Sequence, residues 1–388
     1  MAATPEDMER LRRASGRSRV WIVLAVVAVV VVLIAVAALA GWFSPPTQKV
    51  TITLLGAGAT FPYPLISKWS SAYENATAGG PTVVHVNYQS IGSGGGIAQI
   101  TAKTVDFAGT DAPLKPSERA AAPGLLHIPE TIGAVTAAYH LTGIASGLNL
   151  TGPVLVQIFL GNVVNWNDAS IQSLNPTVTL PSTAIHVVHR SDSSGTTFVW
   201  TSYLHASDST NWNSSLVGKS INWPVGIGSS GNAGVAGTII NTADSVGYVE
   251  LAYAVQNGMT VAKIRNPAGN FILPSLSTAA AAASNVPTLP SPDGDWQNVT
   301  LLNAAGANSY PVVSFTYLLV YKELSTIGSS MTQAKAKALV DFLWWAVHDP
   351  GGQSYSEALA YPKLPQAVIM HDEDAINSIT FNGVVLHT

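Results

Sequence analysis

The hydrophobic pattern of this chain changes character at about residue 50. Before it, Val20 to Phe43 is uncharged and almost wholly apolar, long enough to cross a hydrocarbon core, which takes about 20 helical residues. Beyond it, short apolar runs of strand type alternate with stretches of helical period. Val50 to Leu55 is a β run, and Leu65, Ile66, Trp69, Ala72 and Tyr73 then mark one face of a helix with Pro64 in its first turn. Thr82 to Tyr88 alternates as a strand, Val105 to Ala108 is a short one, and Ala184 to Val188 feeds a helix starting near Phe198-Val199-Trp200. Val154 to Phe159 and Asn162 to Ser170 surround Gly161 and Trp166, which read as packing. Ser245 to Glu250 and Val312 to Tyr321 are further strands; Ser277 to Ser284 and Thr332 to Val347 are helical. The last thirty residues show no clear pattern. Strands alternating with helices in this way predict an α/β fold.

The flanks of the apolar run give it a direction. Residues 1–19 are polar and carry Arg10, Arg12, Arg13, Arg17 and Arg19, which places that end in the cytoplasm and about 345 residues outside. Ala38-Leu39-Ala40 resembles a signal-peptidase site, but the run exceeds the usual apolar region of about 7–15 residues in a cleaved signal. An uncleaved anchor over 20–43 is the favoured reading, with a cleaved and secreted form as the alternative. Ser44-Pro45-Pro46-Thr47 makes 44–49 a short linker. Four glycosylation sequons, at Asn75, Asn149, Asn213 and Asn298, fit an extracytoplasmic domain.

Composition narrows the chemistry. The 388 residues suffice for two domains, and with 47% hydrophobic and 10% charged residues there is ample material for a core. No cysteine is present, which excludes disulfides, thiolate metal sites, a cysteine nucleophile and a lipidated cysteine. The net charge of −4, with no basic patch among aromatics, offers nothing to nucleic acid. Setting aside the five arginines and three acids of residues 1–19 leaves 13 basic against 19 acidic residues. Any anion bound there must be won by local donors rather than by the overall field.

Such donors cluster at the ends of strands. Gly56-Ala-Gly-Ala-Thr60-Phe61, Ser90-Ile-Gly-Ser93-Gly-Gly-Gly96 and His189-Arg190-Ser191-Asp192-Ser193-Ser194-Gly195-Thr196-Thr197 each join a strand to a helix, and a fourth strand ends in Gly109-Thr110-Asp111. Helix N-termini present unpaired amides to anions, and arginine supplies a planar fork of donors. Ligands of open α/β sheets sit beyond the carboxyl ends of strands. A dinucleotide fingerprint is rejected, because Phe61 stands where its third glycine should be. Plain structural readings stand beside these: Ser193 or Ser194 as a helix cap, Ser93 as a loop hydroxyl, Asp111 as a turn residue ahead of Pro113, Asp192 as a cap. His186 and His189 lie three apart on a strand, face opposite ways and make a poor metal pair. No metal cluster or cofactor motif is present in the sequence.

The motifs together resemble those of the extracytoplasmic phosphate-binding proteins of Pst-type ABC transporters. The matching stretches are GAGATFPYPLISKW (56–69), VNYQSIGSGGGIAQI (86–100), TVDFAGTDAPL (104–114), FLGNVVNWND (159–168), HRSDSSGTTFVWTSYL (189–204), WPVGIGSSGNAGVAG (223–237) and SVGYVELAYA (245–254). They follow the family's order across nearly the whole chain beyond residue 50. The long N-terminal anchor and a divergent tail beyond Pro365 depart from it. The resemblance implies a hinged, two-lobe periplasmic-binding-protein fold with two crossovers, behind one transmembrane helix. Lobe one would comprise 50–137 and 310–388, and lobe two 138–309, the chain crossing near Ala137 and returning near Tyr310.

The resemblance also implies site residues: Thr60 (hydroxyl and amide), the Phe61 amide, Ser93 and Asp111 from lobe one; Arg190, Ser194, Gly195 and Thr196 from lobe two, with Asp192 holding the arginine. It implies no catalytic residue, metal or cofactor. The expected partners are inorganic phosphate, the permease and ATPase subunits of an ABC importer, and the membrane through the N-terminal helix, with the protein a monomer. Asp111 suits phosphate because a carboxylate only accepts hydrogen bonds; phosphate keeps a proton through the neutral range, whereas sulfate keeps none. The alternatives are a secreted phosphatase-like or serine hydrolase on the same fold, and a transporter-independent phosphate sensor. The sequence shows neither a G-x-S-x-G elbow nor an HExxH motif.

Overall fold

The computed structural model describes residues 4–39 and 49–387. The first compact unit contains one helix, Pro5–Leu39. The polar segment expected over 1–19 is helical from Pro5, with Glu6 and Asp7 in the first turn, where acids favour the helix dipole. Arg19–Ala37 has a mean hydropathy of 3.4, long and apolar enough to span a membrane. The end of the expected apolar run and the Pro45-Pro46 linker lie outside the described residues.

The second unit, Thr51–Thr388, is built on a nine-stranded sheet. In chain order its strands are β1 (Val50–Gly58), β2 (Thr82–Ser90), β3 (Phe107–Thr110), β4 (Leu125–His140), β5 (His186–Arg190), β6 (Ile227–Ser229), β7 (Ser245–Glu250), β8 (Thr260–Val261) and β9 (Val313–Tyr321). The spatial order is β2-β1-β3-β9-β4-β7-β5-β6, with β8 also on β4. β1 and β3 are parallel, as are β7, β5 and β6, while β9 and β4 run antiparallel between the two sets. Of these strands β1, β3 and β5 run, at their carboxyl ends, into junctions picked out in the sequence.

β4 joins the two halves. Leu125 to Ala134 pairs with β9, and from Val135 onward the partner is β7. The returning chain meets the same point: the Tyr310 hydroxyl donates to the Val135 carbonyl at 3.0 Å, and the Val135 amide to the Val312 carbonyl at 2.9 Å. The change of partner falls between Ala134 and Val135. The sequence offered no expectation of this strand, because it is buried along all but its last residue and so lacks a period of two.

Those other elements for which the sequence carried a signal lie within a few residues of it. Helix Tyr63–Thr77 buries Leu65, Ile66, Trp69 and Tyr73 on one face, and the Trp69 indole donates to the Gly352 carbonyl at 2.8 Å. Helix Gln333–Val347 is capped by the Thr332 side chain. The unpatterned tail contains a helix, Gln366–Asn377, and a two-stranded ribbon, Thr380–Phe381 with Val384–Val385.

Candidate functional site

Every residue expected at the anion site lies at or just past the carboxyl end of a strand, and the fold brings most of them into direct contact. Thr60 and Phe61 follow β1 and precede the helix Tyr63–Thr77. Ser93 opens helix Ser93–Thr101 after β2, and Asp111 follows β3 directly. Arg190 ends β5, and Ser194 caps helix Gly195–Ser207 by accepting from the Thr197 amide at 3.0 Å. Of the two serines considered for that cap, Ser194 is the one used. Thr60, Ser93, Asp111, Arg190, Ser194 and Thr196 are all buried.

Ser93 ties the two parallel sets together. Its hydroxyl oxygen accepts from the Asp111 amide at 3.2 Å and from the Gly195 amide at 3.0 Å. Beside it the Gly94 amide donates to the Ser193 carbonyl at 2.9 Å. This approach leaves no room for side chains. A Cβ at Gly195 would sit 2.5 Å from both Ser93 Oγ and Asp111 Oδ2, and one at Gly94 would sit 2.1 Å from Ser193 Oγ. The glycines are therefore required by close approach rather than by turn geometry.

Arg190 is the one guanidinium in the site, and it is held from two sides. Its Nε donates to Asp192 Oδ1 at 2.7 Å, and its Nη2 to Asp192 Oδ2. Asp192 also accepts from the Gly231 amide at 3.0 Å, so it is an arginine orienter and not the helix cap. Burial alone would raise the Asp192 carboxyl; the hydrogen bond and charge of Arg190 outweigh it and hold that carboxyl below its ordinary range. Arg190 Nη1 reaches Thr196 Oγ1 at 3.4 Å, and the Arg190 amide donates to the Tyr248 hydroxyl at 3.0 Å.

Asp111 is the acceptor among these donors. Thr196 Oγ1 lies 3.4 Å from its Oδ2, while its buried Oδ1 has no hydrogen-bond partner among the described residues. A buried acceptor left unpaired costs about 1–3 kcal/mol. Burial pushes its carboxyl up to about 7, with Arg190 and Thr196 pulling the other way.

Sequence reasoning missed several residues that complete the site. Asn232, at the start of helix Gly231–Asn241, donates through Nδ2 to Thr60 Oγ1 at 2.9 Å and to Thr196 Oγ1 at 3.1 Å. The Tyr253 hydroxyl donates to the Thr60 carbonyl at 2.6 Å, and the Tyr361 hydroxyl to the Phe61 carbonyl at 2.7 Å. Asn232 and Tyr253 stood within quoted motifs but were not assigned to the site, and Tyr361 carries no local signal.

The buried acids set a pH dependence. Burial pushes Glu130 up to about 8 and Asp372 to about 7, alongside Asp111 at about 7. The folded state then holds protons that the unfolded chain has already lost, so these groups stabilise the fold at low pH and that stability is lost as pH rises through their folded values. His127, lowered by burial to about 4, acts oppositely, but only up to its ordinary value. The melting temperature of the phosphate-free protein is therefore expected to fall between about pH 6.5 and pH 8.5. A flat or rising melting temperature in differential scanning calorimetry would contradict it.

Comparison with known proteins extends this picture. The family model described as the PBP superfamily domain matches residues 44–347. The phosphate-binding protein PstS of Xylella fastidiosa is 42% identical over 339 residues, covering 85% of this chain and 87% of that one. PstS of Pasteurella multocida is 43% identical over 341 residues, covering 86% and 92%. Among solved structures, the high-affinity periplasmic phosphate-binding protein PfluDING, bound with phosphate, shares the fold with a TM-score of 0.64 at 19% identity, over 86% of this chain and 100% of that one. This chain belongs to the PBP superfamily and, within it, to the PstS phosphate-binding proteins.

Proposed function

We propose that the protein binds inorganic phosphate outside the cytoplasmic membrane and delivers it to the permease and ATPase subunits of an ABC importer, without chemically altering it. The observation that carries the reading is the unpartnered, buried Asp111 Oδ1 set among groups that donate: the guanidinium of Arg190, the hydroxyls of Ser93 and Thr196, and the amides at the N-terminus of helix Gly195–Ser207. Such a site suits an oxyanion that brings a proton of its own. The proposed contacts are Thr60, Phe61, Ser93 and Asp111 from one lobe and Arg190, Ser194, Gly195 and Thr196 from the other. Asp192 orients the arginine.

The lobes are proposed as 50–137 with 310–388, and 138–309. The change of partner along β4 at Ala134 and Val135 supports them, as does the return of the chain at Tyr310. A ligand shared between lobes favours their closure, because only the closed form offers it both sets of contacts. The apolar helix is proposed as an uncleaved anchor that keeps a monomer beside its permease; its length supports this. Washed membranes carrying the intact chain are expected to bind radiolabelled phosphate, with excess sulfate failing to displace it. Release of the chain on washing would overturn the anchor, and displacement by sulfate would overturn the specificity.

A further inference from the structure

The hydroxyls of the site are locked in one hydrogen-bond polarity. A hydroxyl oxygen has two lone pairs and one proton, so an oxygen already accepting twice can use its proton only to donate. Ser93 Oγ accepts twice from backbone amides, those of Asp111 and Gly195. Thr60 Oγ1 also accepts twice, from the Asn232 amide at 3.2 Å and from Asn232 Nδ2 at 2.9 Å. Thr196 Oγ1 accepts from Asn232 Nδ2 at 3.1 Å and from Arg190 Nη1 at 3.4 Å, and donates to Asp111 Oδ2 at 3.4 Å. One side chain thus fills acceptor positions on two threonines that lie 136 residues apart in the chain.

The orientation of that side chain is itself fixed. Asn232 Oδ1 accepts from the Glu250 amide at 3.0 Å, and a backbone amide can only donate, so the nitrogen must face the threonines. Both Nδ2 protons are then used. Asn232 is fully buried, and no solvent competes for them.

We propose that Asn232 is a positioning residue for anion recognition: by donating to Thr60 and Thr196 it fills acceptor positions on both hydroxyls, so that each can act only as a donor, Thr60 toward the ligand and Thr196 toward Asp111 Oδ2 at its edge, and it makes the site a poor host for anything that must donate to them. The proposal rests on the phosphate-binding reading of the same site. It needs no direct contact between Asn232 and phosphate. Without it the two hydroxyls can turn and accept, and an acceptor facing an oxyanion repels where a donor would bind.

A double-mutant cycle tests the idea on the full-length protein in detergent, with inorganic phosphate as the ligand and calorimetry as the readout. Asn232→Ala and Asn232→Ser are expected to weaken phosphate binding tenfold or more while the folded far- and near-ultraviolet circular dichroism is kept. The same substitutions in a Thr60→Val, Thr196→Val background are expected to change affinity less than twofold, because the hydroxyls through which Asn232 acts are gone. An undiminished loss in the valine background, a wild-type affinity in both Asn232 variants, or failure of both to fold would make Asn232 a structural residue and overturn the proposal. Failure of the wild-type protein to bind phosphate would instead overturn the phosphate reading.

Discussion

Arg190→Gln is expected to lower phosphate affinity on the order of a thousandfold. Truncating one partner of a buried, hydrogen-bonded charge pair costs about 2–5 kcal/mol or more, and each decade of affinity is about 1.4 kcal/mol. Arg190 has the attributes that place it in the upper part of that range. It is buried, so water does not screen it. Asp192 fixes its plane through two hydrogen bonds, so no rotamer entropy is lost on binding. With Thr196 also engaged, three of its five N–H groups are used within the protein, which leaves two for the anion. Glutamine removes the positive charge and strands Asp192, so the phosphate-free variant should also melt earlier than the wild type. The check is the melting shift: saturating phosphate raises the wild-type melting temperature by mass action and leaves that of Arg190→Gln unmoved. Retention of affinity within tenfold would remove the arginine from the site.

Asp111→Asn is expected to do its damage in selectivity rather than in stability. In the wild-type site an ionised Asp111 can accept the proton that phosphate carries, and sulfate meets the same oxygen with like charge and nothing to donate. Asparagine keeps the shape but offers an N–H, which sulfate can use. The penalty for leaving a buried polar group unpaired, about 1–3 kcal/mol, predicts that the ratio of phosphate to sulfate affinity falls by roughly 10- to 100-fold. The sign of the pH dependence follows from the carboxyl at about 7. Below that value a neutral Asp111 can itself donate to sulfate, and above it cannot, so wild-type discrimination sharpens as pH rises from about 5 to 8. In the asparagine variant the ratio should not vary with pH in this way. Competition titrations at the two ends of the range separate these outcomes, and a wild-type ratio that declines with pH would show that Asp111 is not the discriminating acceptor.

The parts of this molecule that were legible in its sequence are those where chemistry and position coincide. Gly, Ser and Thr crowd the strand ends at 56–61, 90–96 and 189–197, and each of these junctions opens a helix. The pairing of Arg190 with Asp192 was implied by the family resemblance, while the residues alone left Asp192 open between helix cap and arginine partner. What escaped was either buried without contrast or assembled across distance. β4 is buried on both faces, carries polar His127, Glu130 and Thr131 among its apolar residues and is interrupted by Pro129 and Gly133, so it shows no period and suggests a break where the structure has its longest strand. Asn232 looks like a turn residue among glycines and serines, and its meaning appears only when β6 and β1 bring it against Thr60. Tyr361 reaches the Phe61 carbonyl from 300 residues away, and no local pattern could announce it. Asp372 is an acid buried in the divergent tail, on the inner face of helix Gln366–Asn377, where an acid reads as a solvent-facing residue.

The most direct test is calorimetric titration of the detergent-solubilised full-length protein near neutral pH, first with phosphate and then, on fresh protein, with sulfate. The expected result is saturable heat for phosphate with one site per chain and no heat of binding for sulfate. A folded protein that gives no heat with phosphate, or that binds sulfate as tightly, would contradict a site built around an acceptor for the ligand's own proton.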